Sequence, residues 1–474
     1  MKKIIQELFI VILVLLSIYQ PITTQGIVNT TSNYIEGDSN LALASVSGTG
    51  SKLDPYILEN LNIVCQHQSE PELIINNTDS YFILQNSISQ NCLYGLSMNN
   101  VSNAIISDLY QFNGIYVDNS NNIRIENLQL KNSVIKLFNT NDFTIKNVTT
   151  NLVIETYNST NGTIQDSNFV GVLGNSTNIN LENNSIDNFT VKYSNEINVQ
   201  RSFYNGISIE SSMNVIFTNT NGVGIGTIDD SNNVILSNFV GNIGVQNDQN
   251  VVLQNITANH RMISITDSKN ITLENSYSSW FEGTDQYGNI YVNGSSEINL
   301  LNNKLESSTG EPGITITLIK IGYSKNVQVR NNFLNFSVES IYFEHVENSV
   351  VKGNNLAPDR LGITLVSSSF NTINDNHLFG SAGSGIVLIT SKNNTVKNNI
   401  IEKSESGIYL LNSSNNVFKN NTYIKVHHIY TSSLINNYNT YMDNTSSGIP
   451  GFDVGLVLIT FSLLIINKKR VNKK

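Results

Sequence analysis

One short motif recurs along most of the chain, and this repetition constrains the fold more than any other feature. The motif is clearest in SKNNTVKNN, Ser391 to Asn399, and the chain holds about sixteen copies of it. Such regular recurrence is expected of a solenoid, in which each repeat packs only on its neighbours. The second inward-reading apolar residue of each copy recurs mostly every 17 to 23 residues, at Leu84, Ile106, Ile125, Ile145, Ile164, Leu181, Val199, Phe217, Leu236, Leu253, Leu273, Leu300, Val329, Val351, Ile373, Val396 and Phe418.

Each copy has the period of a β-strand. Apolar and polar residues alternate over four or five positions, and a second run often opens with glycine, as in GIYV from Gly114 and GIVL from Gly385. About twenty residues per copy leave room for two or three short strands and the Asn-rich corners between them. Asn favours such corners because it tolerates left-handed backbone angles. Amides at the same corner of successive coils can also bond to one another.

These repeats resemble the right-handed parallel β-helix family, specifically the NosD-like and the carbohydrate-binding and sugar-hydrolase repeats of the pectin-lyase-like superfamily. The resemblance covers roughly Pro55 to Asn421, and the segment Gly48 to Ile63 looks like the opening strand of archaeal members. It implies an all-β, right-handed parallel β-helix of roughly 16–17 coils over residues 53–441. One scaffold of this kind hosts many chemistries, so the resemblance is a weak guide to function.

Length and charge limit the domain organisation and the classes of partner that the chain can bind. The chain has 474 residues, which one elongated solenoid can absorb because solenoids grow by repetition. Charged residues make up 14% of the chain, the net charge is −10, and the repeats contain no basic cluster. Binding to nucleic acid is therefore disfavoured.

The N-terminus has the features of a secretory signal. Lys2 and Lys3 precede the apolar run Leu8 to Ile18, so residues 1–25 are predicted to be a signal peptide. The alternative is an uncleaved membrane anchor, because Glu7 interrupts the basic region and no small-residue cleavage motif is evident. Residues 26–52 are interpreted as a leader into the first coil, with part of it disordered.

A second targeting segment is predicted at the C-terminus. Residues 442–451 are interpreted as a linker and sorting motif, 452–467 as a transmembrane helix and 468–474 as a basic cytoplasmic tail. The order of Pro450-Gly451-Phe452, apolar run and basic tail resembles archaeal PGF-type sorting signals. The resemblance implies a β-helix tethered to the cell membrane on its extracellular side, with the C-terminus in the cytoplasm.

Two cysteines, Cys65 and Cys92, fall in the first coils, 27 positions apart. Slightly more than one coil separates them, so a disulfide is reasonable in an oxidising exterior. The alternative is a pair of buried free thiols.

The best candidates for a ligand site fall in two long connections, residues 276–294 and 306–313. Loops that project from a solenoid often carry function. The aromatic residues of the first connection could stack on sugar rings, and acids there together with two residues one coil earlier could serve catalysis. The predicted ligand-binding residues are Tyr277, Trp280, Tyr287 and Tyr291, and the catalytic candidates are His260, Arg261, Glu282 and Asp285. The alternative is an apolar loop cluster with solvated acids.

Four acids recur at nearly one-coil intervals: Asp229, Asp230, Asp248 and Asp267. Related lyases bind Ca²⁺ through such acids, so a Ca²⁺ site is one interpretation and plain turn residues are the other. The histidines are scattered and do not cluster with methionine, which argues against copper chemistry of the NosD type. No other cofactor is predicted.

Two functions remain open from the sequence. The first is a membrane-anchored extracellular surface protein that binds glycans or surface partners, or acts as a structural stalk. The second is an anchored polysaccharide lyase or glycoside hydrolase that works near the two long connections. A complete catalytic constellation is not evident in the sequence, which favours the first.

Overall fold

The chain forms a parallel β-helix. The computed structural model describes residues 34–65, 73–259, 262–280, 288–307, 317–433 and 438–448. It has about 18 turns, slightly more than the 16–17 predicted, because strands before Leu84 and after Phe418 add coils at both ends. The predicted signal peptide, transmembrane helix and basic tail lie outside the described residues. Within those residues, no helix has the length and apolar character needed to cross a membrane.

The chain divides into two compact units, of which the first ends at Val153. All strand pairs of this unit are parallel. It begins with one strand and one helix, Gly37–Ala44. Its strands are Tyr34–Glu36, Tyr56–Glu59, Asn62–Val64, Leu73–Thr78, Phe82–Gln85, Ile88–Gln90, Tyr94–Ser107, Gly114–Asp118, Asn121–Leu130, Ile135–Phe138 and the first part of Asn141–Tyr157.

In the second unit, each coil contributes to three parallel sheet faces, which we call A, B and C in chain order. Face A comprises Thr160–Gln165, Thr177–Glu182, Asn195–Gln200, Met213–Thr218, Asn232–Ser237, Gln249–Gln254, Lys269–Glu274, Ser296–Leu301, Gln328–Arg330, Val350–Lys352, Thr372–Asn374, Thr395–Lys397, Val417–Lys419 and Thr440–Met442. Face B has the separate strands Thr257–Asn259, Tyr277–Trp280, Lys304–Ser307, His377–Phe379, Ile400–Glu402, Thr422–Ile424 and Thr445–Ser447.

Face C has the separate strands Ile263–Thr266, Ile290–Asn293, Thr317–Gly322, Ser384–Ile389, Ser406–Leu411 and His428–Ser433. Other strands run from face B into face C without a break. These are Asn168–Gly174, Ser185–Lys192, Phe203–Glu210, Asn221–Asp229, Phe239–Gln246, Phe333–Glu344 and Asn355–Val366. Register irregularities between paired strands fall where several of them turn, as between Asn335 and Glu339.

The core follows the predicted repeat. Every residue of the apolar series from Leu84 to Phe418 is at most 1% exposed. Within a face these residues are direct partners, as in the run Leu253, Leu273 and Leu300. Because side chains alternate across a strand, the same register places every second residue outside. The register therefore decides which polar side chains share a face. The hand of the coil stays a prediction.

Asparagine stabilises the corners of the coils in two ways. Many corner residues have left-handed backbone angles, and most of these are Asn, for example Asn393 with φ 58° and Asn398 with φ 54°. Other Asn side chains point inwards and form a ladder through successive coils, made of Asn303, Asn332, Asn354, Asn376, Asn399, Asn421 and Asn444. In each rung a backbone N–H donates to the next amide oxygen at 2.8–3.0 Å. Both roles were predicted for Asn from the sequence.

Part of the predicted leader has regular structure. The leader contains the strand Tyr34–Glu36, which pairs with Leu73–Thr78, and the helix Gly37–Ala44, whose Leu41 is fully buried. This apolar residue anchors a segment that the composition alone assigns to a loose leader. Cys65 and Cys92 form a disulfide with Cα atoms 5.1 Å apart. The bridge crosslinks the first coils.

Candidate functional site

Both long connections predicted from the sequence join a strand of face B to a strand of face C. One joins Tyr277–Trp280 on face B to Ile290–Asn293 on face C, and the next joins Lys304–Ser307 to Thr317–Gly322. His260 and Arg261 belong to the corresponding connection one coil earlier. These two residues and Glu282, Asp285 and Tyr287 lie outside the described residues, and the Trp280 side chain is not described. Their roles stay predictions.

Two of the predicted ligand-binding aromatics lie on different faces. Tyr277 lies on face B, where its hydroxyl donates to Glu306 Oε2 at 3.2 Å and Lys304 Nζ lies 5.4 Å from its ring centre. Lys304 also pairs with Glu306 at 2.9 Å. Tyr291 lies on face C, opposite Ser264 in one neighbouring strand and Lys320 in the other. A ligand that contacts both tyrosines would have to reach across the edge between the two faces.

The four acids also occupy different settings. Asp229 ends a face C strand, and Asp230 and Asp267 have left-handed corner angles of 50° and 49°. Asp248 is 1% exposed and points into the core. Within the described ranges, no three His, Cys, Asp or Glu side chains gather as metal ligands. Ca²⁺ binding by these acids stays a prediction.

A groove lies on face C of the second unit. It encloses about 350 Å³ and crosses four coils. Its floor, which we call the hydroxyl row, consists of Ser208, Thr227, Gly244 and Ser264, direct neighbours in register. Its border, the rim row, consists of Glu210, Asp229, Gln246 and Thr266. The groove exists because small side chains and one glycine occupy four successive outward positions.

The groove is rich in hydrogen-bonding groups and carries negative charge. In the hydroxyl row, Thr227 Oγ1 donates to Ser208 Oγ at 3.2 Å. In the rim row, Glu210 pairs with Lys192 Nζ at 2.5 Å, and Asp229 Oδ1 accepts from Asn247 Nδ2 at 3.5 Å. The Lys192 amine has a raised pKa because of its hydrogen bond and charge interaction with Glu210. Carboxylate oxygens accept hydrogen bonds from ligand hydroxyls and disfavour nearby anions.

Bulky side chains continue the hydroxyl row beyond the groove. Tyr291, Lys320, Tyr342 and Thr364 are successive partners on face C. Tyr291 therefore ends the row of small residues, and Lys320 Nζ lies 5.8 Å from the Tyr342 ring centre. A flat ring at the end of a polar groove offers an apolar surface next to the hydrogen-bonding floor.

One protein family model matches the C-terminal part of the repeats. Residues 313–448 match the family model described as Periplasmic copper-binding protein (NosD). This segment, less than a third of the chain, is therefore similar to NosD repeats. In this segment, however, His377 faces Glu402 at 3.3 Å and His428 faces Glu405 at 3.7 Å, each as a separate pair. Within the described part of the segment, no three His, Cys, Asp or Glu side chains gather as metal ligands, and the absence of copper chemistry stays a prediction.

Solved structures give remote matches. A mannuronan C-5 epimerase A-module from Azotobacter vinelandii is 12% identical, covering 83% of this chain and 89% of that one, with a TM-score of 0.26. A GH136 lacto-N-biosidase from Eubacterium ramulus is 12% identical, covering 68% and 63%, with a TM-score of 0.35. The Streptococcus pneumoniae surface adhesin PfbA is 15% identical, covering 77% and 84%, with a TM-score of 0.23. No match was found among curated proteins. At these values none of the structures bears on what the chain binds.

The groove was missed in the sequence, although a signal for it exists. In four successive coils the residue between two inward positions is Ser208, Thr227, Gly244 or Ser264, and in the next coil it is Tyr291. Such a column is visible only once the coils are aligned in register.

Proposed function

We propose that this chain is a surface β-helix, anchored to the membrane through residues 452–467, that binds an uncharged glycan in the face C groove. The observation that carries the proposal is the hydroxyl row beside a rim of two carboxylates and an amide. A sugar presents many hydroxyl groups, and these can donate to Glu210 and Asp229 and exchange hydrogen bonds with Ser208 and Thr227. Tyr291 at the end of the row supplies a ring for stacking.

The charge of the groove favours neutral ligands over acidic ones. Glu210 and Asp229 border the same floor, and Lys192 pairs with Glu210. A uronate or sulfate group in the groove would bring a further negative charge close to these carboxylates. The expected ligands are therefore neutral hexose or N-acetylhexosamine polymers.

A glycan array with the secreted piece, residues 26–447, tests this proposal. Neutral, uronate and sulfated oligosaccharides are compared, with and without Ca²⁺, and the products of each polysaccharide are followed in parallel. Selective retention of neutral glycans without product supports the binding protein. Retention of acidic glycans only, or no retention by folded protein, overturns the proposal, and release of shortened or unsaturated products would favour the lyase or hydrolase alternative.

A further inference from the structure

A half-buried carboxyl group lies three coils beyond the groove, at the point where the chain turns from face B to face C. Glu339 is in the strand Phe333–Glu344, opposite Thr317 in one neighbouring strand and Leu361 in the other. Thr317 Oγ1 donates to Glu339 Oε2 at 3.4 Å. Ser337 and Ser340, on either side of it in sequence, are buried and bond to each other at 3.1 Å.

The surroundings of Glu339 contain an unsatisfied polar atom. Thr364 is 3% exposed, it follows Tyr342 in the register of face C, and its Oγ1 makes no hydrogen bond of ordinary geometry in the structure. Buried polar atoms are usually satisfied, because leaving one unpaired costs free energy. The Thr364 hydroxyl lies next to the partly exposed Glu339 carboxyl group and acts on it, since it lowers the pKa of that acid.

A cation and an aromatic ring stand next to this acid. Lys320 and Tyr342 are partners across the two strands, and the Lys320 amine faces the ring at 5.8 Å. Both continue the hydroxyl row, so a glycan chain longer than the groove would reach them.

The acid is also poorly solvated. Burial raises the pKa of Glu339 to about 7, against the opposing effects of Thr364, Thr317 and Lys320. A protonated carboxyl group donates one hydrogen bond, whereas a carboxylate only accepts. Perturbed acids of this kind concentrate at functional sites.

From these contacts we infer that Glu339, Lys320, Tyr342 and Thr364 form a second glycan subsite, in which the Glu339 carboxyl group donates a hydrogen bond to a ligand oxygen. This inference rests on the proposed function, because the subsite extends the face C groove. It predicts tighter binding at acidic than at alkaline pH. The charged and titratable groups on the strands around Glu339 are Lys304, Glu306, Lys320, Tyr342, Glu344, Asp359 and Arg360.

The test measures the affinity for a neutral oligosaccharide at pH 6 and pH 8.5, by calorimetry on the secreted piece. The wild-type affinity should fall about tenfold between the two pH values, as the acid loses its proton. Glu339→Gln keeps a donor, so it should bind at both pH values within about threefold of wild type at pH 6. Glu339→Ala should bind about tenfold more weakly at pH 6, because donor and acceptor are both lost.

Glu344→Gln is the matched control, because Glu344 is an acid near the other end of the same strand. It should keep the wild-type pH profile. A pH profile that persists in Glu339→Gln, or full affinity in Glu339→Ala, overturns the subsite while leaving the groove intact. Failure of the wild-type protein to bind any neutral glycan at either pH overturns the proposed function itself.

Discussion

At the residue scale, Asp248 departs from the pattern of its own repeat. Inward serines occupy the equivalent corner of other coils, as Ser231 and Ser268 do in the two neighbouring ones. Each of these hydroxyl groups accepts a backbone N–H and donates to the carbonyl oxygen two residues before it. Asp248 accepts from the Ser231 and Gln246 N–H groups at 2.6 and 2.9 Å. It can donate to a carbonyl only when it is protonated.

Because Asp248 is buried, its effect on the free energy of unfolding depends on pH. Desolvation raises the pKa of Asp248 to about 7, and the charges of Asp229 and Asp230 act in the same direction. The folded state thus binds the proton more tightly than the unfolded state, whose pKa is about 3.9. The stabilisation from this proton is complete below about pH 4 and is lost as the pH rises towards 7.

Asp248→Ser should therefore stabilise the protein at pH 8. The expected gain relative to wild type is on the order of 2–4 kcal/mol at pH 8, and much smaller at pH 4. Denaturant unfolding at the two pH values measures it. Asp443→Asn is the control, since Asp443 is an exposed corner residue that does not act on Asp248, and it should leave the pH dependence unchanged. Equal effects of Asp248→Ser at both pH values would contradict the account.

At the element scale, the inward Asn ladder joins strands that the hydrophobic core alone would leave free to slip in register. Asn376 is a central rung. Its Nδ2 donates to Asn399 Oδ1 and to the Val351 carbonyl oxygen, both at 2.9 Å, and its Oδ1 accepts two N–H groups of Asn354. Each rung satisfies buried backbone groups that have no strand partner at the corner.

Asn376→Ala should destabilise the protein strongly. It leaves buried donors on Asn354 and the Val351 carbonyl oxygen without their partner, at a cost on the order of 3–5 kcal/mol. Asn355→Ala makes the same chemical change at an exposed position beside Asn354, and a change below about 0.5 kcal/mol is expected. Thermal and denaturant unfolding compare the two variants. Similar losses in both would show that the ladder adds no stability of its own.

The strands and the core could be predicted from the sequence, whereas the arrangement of the sheet faces could not. Alternation predicted the strands, and the apolar series from Leu84 to Phe418 predicted the core, because both depend only on local order along the chain. The sheet faces were harder, because they depend on the length of each corner. Tyr277 and Tyr291 were grouped from their closeness in sequence, yet an edge of the coil separates them.

At the scale of the whole molecule, the repeated motif predicted a parallel β-helix. It did not predict which surface of the β-helix binds a ligand. Each coil has nearly the same core, so function depends on which outward residues stack above one another. The groove needs Ser208, Thr227, Gly244 and Ser264 in one column, and a shift of one residue in any coil would remove it. The helix Gly37–Ala44 was also not predicted, because the single buried side chain of Leu41 holds it against the neighbouring coil.

The most direct test of the account fills the groove without disturbing the core. A Cβ atom at Gly244 would meet only Ser264 Oγ, at 3.4 Å, so Gly244→Phe adds bulk to the floor without straining the backbone. Val252→Phe adds bulk to the same coil on face A and serves as the control. Calorimetric titration with the neutral glycan retained on the array should show at least a tenfold loss of affinity for Gly244→Phe and wild-type affinity for Val252→Phe. Unchanged affinity of Gly244→Phe, together with loss of binding in Trp280→Ala, would contradict the account and place the site at the long connections.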